Sequence, residues 1–110
     1  MLAPMNEIEF AARADAALQS IEQALEDCGA DADVLLKEGG ILEVEFADGS
    51  KIIVNRHAAA REIWVAARSG GFHFRWDGAA WRDTRDSSEL FAALSRLVSA
   101  QAGQPVLLRG

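Results

Sequence analysis

The sequence predicts an α+β fold: a two-layer sandwich in which an N-terminal and a C-terminal helix cover one face of a six-stranded antiparallel sheet. Three observations carry this. Apolar residues recur at helical spacing at the start of the chain, at a period of two through its middle, and at helical spacing again towards its end. Each middle segment has one apolar and one polar face, as expected of a sheet covered on one side only. Glycine turns link those segments closely enough that consecutive strands are neighbours in a meander. No repeat, low-complexity segment or linker divides the 110 residues, so a single domain spanning 1–110 is expected.

The first helix is expected over residues 6–28. Phe10, Ala14, Ala17, Leu18, Ile21, Leu25 and Cys28 follow three- and four-residue steps along one face. Asn6 serves as N-cap with Glu9 as capping-box partner, and Gly29 stops the helix. Asp15, Gln19, Glu22 and Glu26 line up along a solvent face. The period then changes. Residues 34–37 form a short strand, and Glu38-Gly39-Gly40 turns the chain into a strand over 41–46, with Leu42, Val44 and Phe46 inward. Asp48-Gly49 is a hairpin turn leading to 51–56, where Ile52 and Val54 point inward. An alanine-rich link joins this to 62–67, where Ile63 and Val65 point inward and Trp64 outward. Gly70-Gly71 turns into 72–76, with Phe72, Phe74 and Trp76 opposite His73 and Arg75. Asp77-Gly78 leads to a last short strand around Trp81. Ser87, or Asp86 with Glu89, caps a second helix whose stripe is Leu90, Phe91, Leu94, Leu97 and Val98, ended by Gly103 and Pro105. The tail Val106-Leu107-Leu108 is apolar enough to seek a groove. Trp76, Trp81, Phe72 and Phe74 read as core.

Charge narrows the function. The chain has 17 acids, 11 bases and a net charge of −6. That argues against nucleic acid and against an anionic membrane surface as partners. No stretch approaches the length of a membrane span, the first five residues lack a signal-peptide pattern, and the single cysteine, Cys28, fits a reducing cytoplasm. The charge is unevenly placed. Residues 7–33 hold eight acids and one base, for −7, and the remainder carries +1. Glu22, Glu26 and Asp27 cluster at the end of the first helix, and Asp31 and Asp33 follow in the loop and strand. Carboxylates are hard oxygen ligands for hydrated divalent and trivalent metals. The spacing builds no closed cage, so binding there is expected to be weak, exposed and poorly selective. The alternative is a solvated face that serves solubility, but like charges at helical neighbours cost stability, and so dense a cluster asks for a ligand. Trp64, outward on its strand beside Asn55, reads as an interface anchor, and His73 faces the same side. Isolated histidines such as His57 and His73 are more often surface residues than ligands, and Cys28 reads as packing. No nucleophile, metal-hydrolase or phosphate-loop constellation is visible, and a convex ridge of carboxylates lacks the pocket that general acid–base work needs. No enzyme activity is therefore expected.

The stretches ADGSKIIVNR at 47–56 and EIWVAARSGGFHF at 62–74 carry a resemblance. The second matches the pattern I-W-x-A-x-x-x-G-G-[YF]-x-F. With Trp81, the acidic first helix and the helix–six strands–helix order, the chain resembles the frataxin family in its bacterial form, from about residue 5 to about residue 103. The resemblance implies the frataxin fold and weak, reversible iron(II) or iron(III) binding on an acidic ridge. By position that ridge comprises Glu7, Glu22, Glu26, Asp27, Asp31 and Asp33. It implies a role in modulating iron–sulfur cluster assembly, with a cysteine desulfurase and the scaffold protein as partners. Glu22, Glu26 and Asp27, together with Asn55, Trp64 and His73, would meet them. Gln23, Gly29 and Leu35 stand where bacterial relatives often have acids, which points to fewer or weaker ions here. A monomer is expected, with iron-driven oligomerisation left open. Two rival classes are a metal-independent acidic docking module for a basic protein, and an iron(II)-oxidising enzyme.

Overall fold

The structure, a computed structural model, describes residues 5–110, so most of the segment read against a signal peptide, residues 1–4, lies outside the described residues. Helix α1 (Glu7–Asp27) is followed by β1 (Ala32–Lys37), β2 (Ile41–Phe46), β3 (Lys51–His57), β4 (Glu62–Ala67), β5 (Gly70–Trp76), β6 (Trp81–Asp83) and helix α2 (Leu90–Ala102). The strands form one antiparallel sheet in sequence order, so every connection between them is a hairpin.

Alternation decides what lies between the layers. Leu42, Val44 and Phe46 of β2, Ile52 and Val54 of β3, Ile63 and Val65 of β4 and Phe74 of β5 are all buried on one face. Against them pack Phe10, Ala14, Leu18, Ile21 and Leu25 of α1 and Leu90, Leu94 and Val98 of α2. These are the residues that the two periodicities select. Phe10 meets Trp81 edge-on with ring centroids 6.0 Å apart, and Trp81 meets Trp76 the same way at 5.6 Å. Phe72 and Trp76 are only partly buried, each under an arginine: Arg85 over Phe72 and Arg13 over Trp76.

The helix ends follow local chemistry. Asn6 Oδ1 accepts from the Glu9 backbone N–H at 2.8 Å, which caps α1, and Gly29 takes the left-handed conformation just past its end. The cap of α2 differs from the sequence expectation. Ser87 and Asp86 lie in the preceding turn, and Glu89 is the N-cap, its carboxylate accepting from the backbone of Phe91 and Ala92. The reason is Asp83, which is buried and closes the turn by accepting from Arg85 N–H, while its own N–H bonds to Ser88 carbonyl. The helix can start only after that turn is complete. Gly103, left-handed, ends α2 as expected.

The tail does find its groove. Val106 and Leu108 are buried, while Leu107 points out. Two serines of α2 hold it: Ser99 Oγ accepts from Val106 N–H and Ser95 Oγ accepts from Leu108 N–H, both at 2.8 Å. Gln101, buried near the end of α2, joins the helix layer to the sheet. Its Oε1 accepts from Arg68 N–H, and its Nε2 donates to Ser50 Oγ and Lys51 carbonyl.

Candidate functional site

Two surfaces carry the sequence-selected residues, and they lie on different layers. On the helix side, Glu26 and Asp27 are exposed on the last turn of α1, and Glu22 is half-buried one turn earlier. Asp31 in the loop and Asp33 on β1 are exposed and continue the same negative edge. None of these five has a lysine, arginine or histidine within 4.0 Å, whereas Asp15, Glu43, Asp48, Glu62 and Asp77 each hold a base. Among the described residues, the only side-chain partner in the cluster is Gln23, whose amide donates to both oxygens of Asp27 at 3.2 Å. Among the described residues, no three carboxylate, imidazole or thiol groups converge closely enough to hold one ion between them. The cluster is therefore a strip of negative potential rather than a chelating cage.

Glu7 of the expected ridge, and Asp15 of the solvent face of α1, stand apart from this cluster. Glu7 sits on the first turn of α1, about 22 Å from Glu22 at 1.5 Å per residue, so it cannot share an ion with the cluster. Asp15 is no free ridge acid. Its Oδ1 accepts from Arg56 of β3 at 2.6 Å, which ties the middle of α1 to the sheet. Gly40 makes this reach available. It has φ +75°, and a Cβ there would lie 2.7 Å from Arg56 Nε. Asp33 gains a neighbour that the spacing did not reveal, since the β1–β2 register sets it directly opposite Glu45.

The second surface is the uncovered sheet face. Parity places Ile53, Asn55 and His57 of β3, Glu62 and Trp64 of β4, and His73 and Arg75 of β5 on it. Asn55 and His73 flank Trp64 as its cross-strand partners. The two histidines are not isolated. The His57 ring stacks on one side of the Trp64 indole with centroids 3.7 Å apart, and the His73 ring on the other at 4.5 Å, both within 9° of parallel. Trp64 is thus half-buried in a sandwich of imidazoles, not freely exposed. Beneath it lies Glu62, buried on the nominally open face. Glu62 Oε1 accepts from Trp64 Nε1–H at 2.8 Å, and Oε2 accepts from Arg75 at 2.5 Å. Burial alone would push the Glu62 carboxyl up. The hydrogen bonds from Trp64 and Arg75, with the charges of Arg75 and His73, outweigh it and hold the group below the ordinary carboxylate range. Beside the stack, a hollow of about 240 Å³ is lined by Ile53, Asn55, Trp64, Phe72 and His73. Sequence reasoning missed Glu62 and Arg75 and read His57 as an isolated surface histidine. The signal was present in the Gly70-Gly71 hairpin, whose register pairs Glu62 with Arg75 and Trp64 with His73.

Further along the same face, Glu43 lies between Lys37 at 2.6 Å and Lys51 at 2.8 Å. Hydrogen bonds from Lys37 and then Lys51 hold its carboxyl at about 2, against an ordinary 4.5. A folded-state value below the unfolded one stabilises above the unfolded value and is lost as pH falls through the folded one. The stability difference between the native chain and Glu43→Gln is therefore expected to be full at neutral pH, to shrink below pH 4.5 and to vanish near pH 2, as read by urea unfolding across that range.

Comparison with known proteins agrees with this architecture. A model of the frataxin-like domain matches residues 3–104. The chain is 64% identical over 105 residues to the "Iron-sulfur cluster assembly protein CyaY" of Dechloromonas aromatica, covering 96% of this chain and 100% of the relative. It is 54% identical over 109 residues to the protein of the same name from a Janthinobacterium, covering 96% and 97%. Among solved structures, frataxin from Psychromonas ingrahamii superposes with a TM-score of 0.88 at 31% identity, covering 96% of this chain and all of that one. Trimeric yeast frataxin complexed with ferrous iron shares the fold alone, with a TM-score of 0.65 at 22% identity over 94% of this chain and 92% of that one. A helix, a six-stranded antiparallel meander and a second helix, matched along almost the whole length, make this chain a member of the frataxin family, in its bacterial CyaY branch.

Proposed function

We propose that this chain is a cytoplasmic, non-enzymatic iron–sulfur cluster assembly protein. It takes iron(II) or iron(III) weakly and reversibly as cargo on the carboxylates of Glu22, Glu26, Asp27, Asp31 and Asp33, and it docks on a cysteine desulfurase and its scaffold. The observation that carries this reading is that, among the described residues, these five neighbouring carboxylates have no lysine, arginine or histidine within 4.0 Å, whereas Asp15, Glu43, Asp48 and Asp77 each hold one. Such a strip raises the local cation concentration and orients a basic partner before contact. The sheet face supplies the rest of the interface: Trp64 as a rigid aromatic anchor, Asn55 as a polar contact and His73 at its flank. The names of the close bacterial relatives support the assembly role. Iron that neutralises the strip would also change its attraction for a basic partner, which couples the two activities.

The test combines two measurements. Anaerobic iron(II) titration of nitrogen-15-labelled protein, with magnesium as control, is expected to broaden amides from Glu22 to Asp33 selectively. The variant Glu22→Lys/Glu26→Lys/Asp27→Lys is expected to fold normally, to lose that broadening and to bind the desulfurase at least about tenfold more weakly. Normal desulfurase binding by the triple variant would sink the docking claim. One observation favours a second reading, a metal-independent docking module, namely that no three ligand groups converge among the described residues. Its signature is a salt-sensitive desulfurase complex with no selective broadening at millimolar iron.

A further inference from the structure

The two edges of the sheet are treated differently. At one, β6 is short and its Arg82 is bridged to Glu89, so the chain covers its own edge. At the other, β1 ends the sheet, and no strand lies beyond it among the described residues. Edge strands are normally protected by proline, a bulge, brevity or charged side chains. β1 has charge at Asp33 and Lys37 but none of the other devices. It pairs with β2 over six unbroken positions, contains no proline or glycine, and exposes Leu35 at 56% and Leu36 at 40%. Two of the four large apolar residues that are exposed among the described residues are therefore neighbours on this one edge.

Its charge pattern indicates what fits there. Asp33, Leu35 and Lys37 alternate along the uncovered face of β1, so the strand reads as acid, apolar, base about a centre at Leu35. Asp33 lies opposite Glu45, a like-charge pair; Lys51 faces Glu45 from β3, but no lysine, arginine or histidine lies within 4.0 Å of Asp33 among the described residues. We propose that β1 pairs antiparallel with β1 of a second copy of this chain, about a two-fold axis through Leu35 perpendicular to the sheet. That register sets Asp33 beside Lys37 of the partner subunit, and Lys37 beside Asp33 of the partner subunit. Leu35 meets its own copy, and on the other face Val34 meets Leu36 of the partner subunit. The foreign lysine, which within its own subunit pairs with Glu43, supplies the cation that Asp33 lacks. Moving the axis to Val34 or Leu36 sets Leu35 against a charged side chain, so the charge pattern selects one register. The interface is isologous and closes on itself, giving a continuous sheet of two six-stranded halves. A pair of six-residue edges falls below the ~1,200 Å² of stable interfaces, so the dimer is weak and concentration-dependent. It covers the Asp33 edge and leaves the Trp64 face free.

Sedimentation equilibrium of the full chain, kept metal-free by chelator, tests this over a concentration series reaching millimolar. The native chain is expected to move from monomer to dimer. Lys37→Glu replaces two attractions by two repulsions and is expected to weaken association about tenfold or more. Leu35→Lys sets like charges on the axis and is expected to do the same. Asp33→Lys/Lys37→Asp restores both pairs with their signs exchanged and is expected to return association to near the native level. All of these positions are exposed, so the variants fold, and thermal unfolding checks that they do. Amide exchange at Val34, Leu35 and Leu36 is expected to slow as concentration rises. A native chain that stays monomeric throughout, or association that survives Lys37→Glu and Leu35→Lys, overturns the proposal. So does failure of the exchanged pair to recover association.

Discussion

Phe10→Ala is expected to cost about 3–5 kcal/mol of folding stability, among the largest losses that one substitution can cause here. The ring is fully buried, and it is where α1 meets the aromatic group of Trp81 and Trp76 at the far side of the sheet. Its removal takes away transfer free energy and leaves a cavity between two layers whose backbones are fixed, so little collapse can fill it. For a domain of this size the melting temperature should fall by more than about 10 °C. Urea unfolding checks the magnitude, and the slope against urea should be unchanged if the same surface is exposed. The functional consequence is specific. Phe10 and the Asp15–Arg56 pair hold the N-terminal half of α1, while the acidic cluster sits at its other end. Iron and partner binding at temperatures where the variant is folded should therefore change little.

Glu62→Ala is expected to cost about 1–3 kcal/mol and to disorder the aromatic stack above it. Two effects oppose each other. The substitution relieves the burial of a charge, but it removes the acceptor that fixes the Trp64 indole and the Arg75 guanidinium. Arg75 is well exposed and returns to water at little cost, whereas the indole N–H loses its partner in a half-buried position. The loss of orientation matters more than the energy. An anchor held between two imidazoles and one carboxylate loses little rotamer entropy on docking, and a loosened one loses more. Glu62→Gln keeps an acceptor of the same shape and is expected to retain most of the native stability. The contrast is readable in the near-ultraviolet circular dichroism of tryptophan. If Glu62→Ala leaves that signal and partner affinity unchanged, Glu62 does not position Trp64.

Most of the fold was legible because its two signals are local. Phe10, Leu18 and Leu25 recur at the helical period, and Leu42, Val44 and Phe46 alternate, so each element announces its buried face before any partner is known. Asp48-Gly49 and Gly70-Gly71 then fix which strands are neighbours. The cap of α2 was misread because Ser87 and Asp86 are good caps in isolation, and only the buried Asp83 shows that the chain is still turning there. For the candidate site, sequence placed residues but not relations. It set Trp64, Asn55 and His73 on one face. It did not show that His57 and His73 bracket the indole, because that depends on rotamers across three strands. It listed Asp15 among solvent-facing acids, although Arg56, 41 positions away, neutralises it. Charge counted along a chain overstates a ridge whenever the fold brings a distant base to it.

The serine clasp has a practical consequence for where this domain ends. The segment shared with the family model stops at residue 104, yet Val106 and Leu108 are core side chains by burial and hang from α2 on Ser95 and Ser99. A protein trimmed to the shared segment would keep every helix and strand. It would still lose two apolar plugs and leave two hydroxyls facing an open furrow. The hydrophobic interior here is longer than the secondary structure that encloses it, and expression boundaries are better drawn by following buried atoms than by following the alignment.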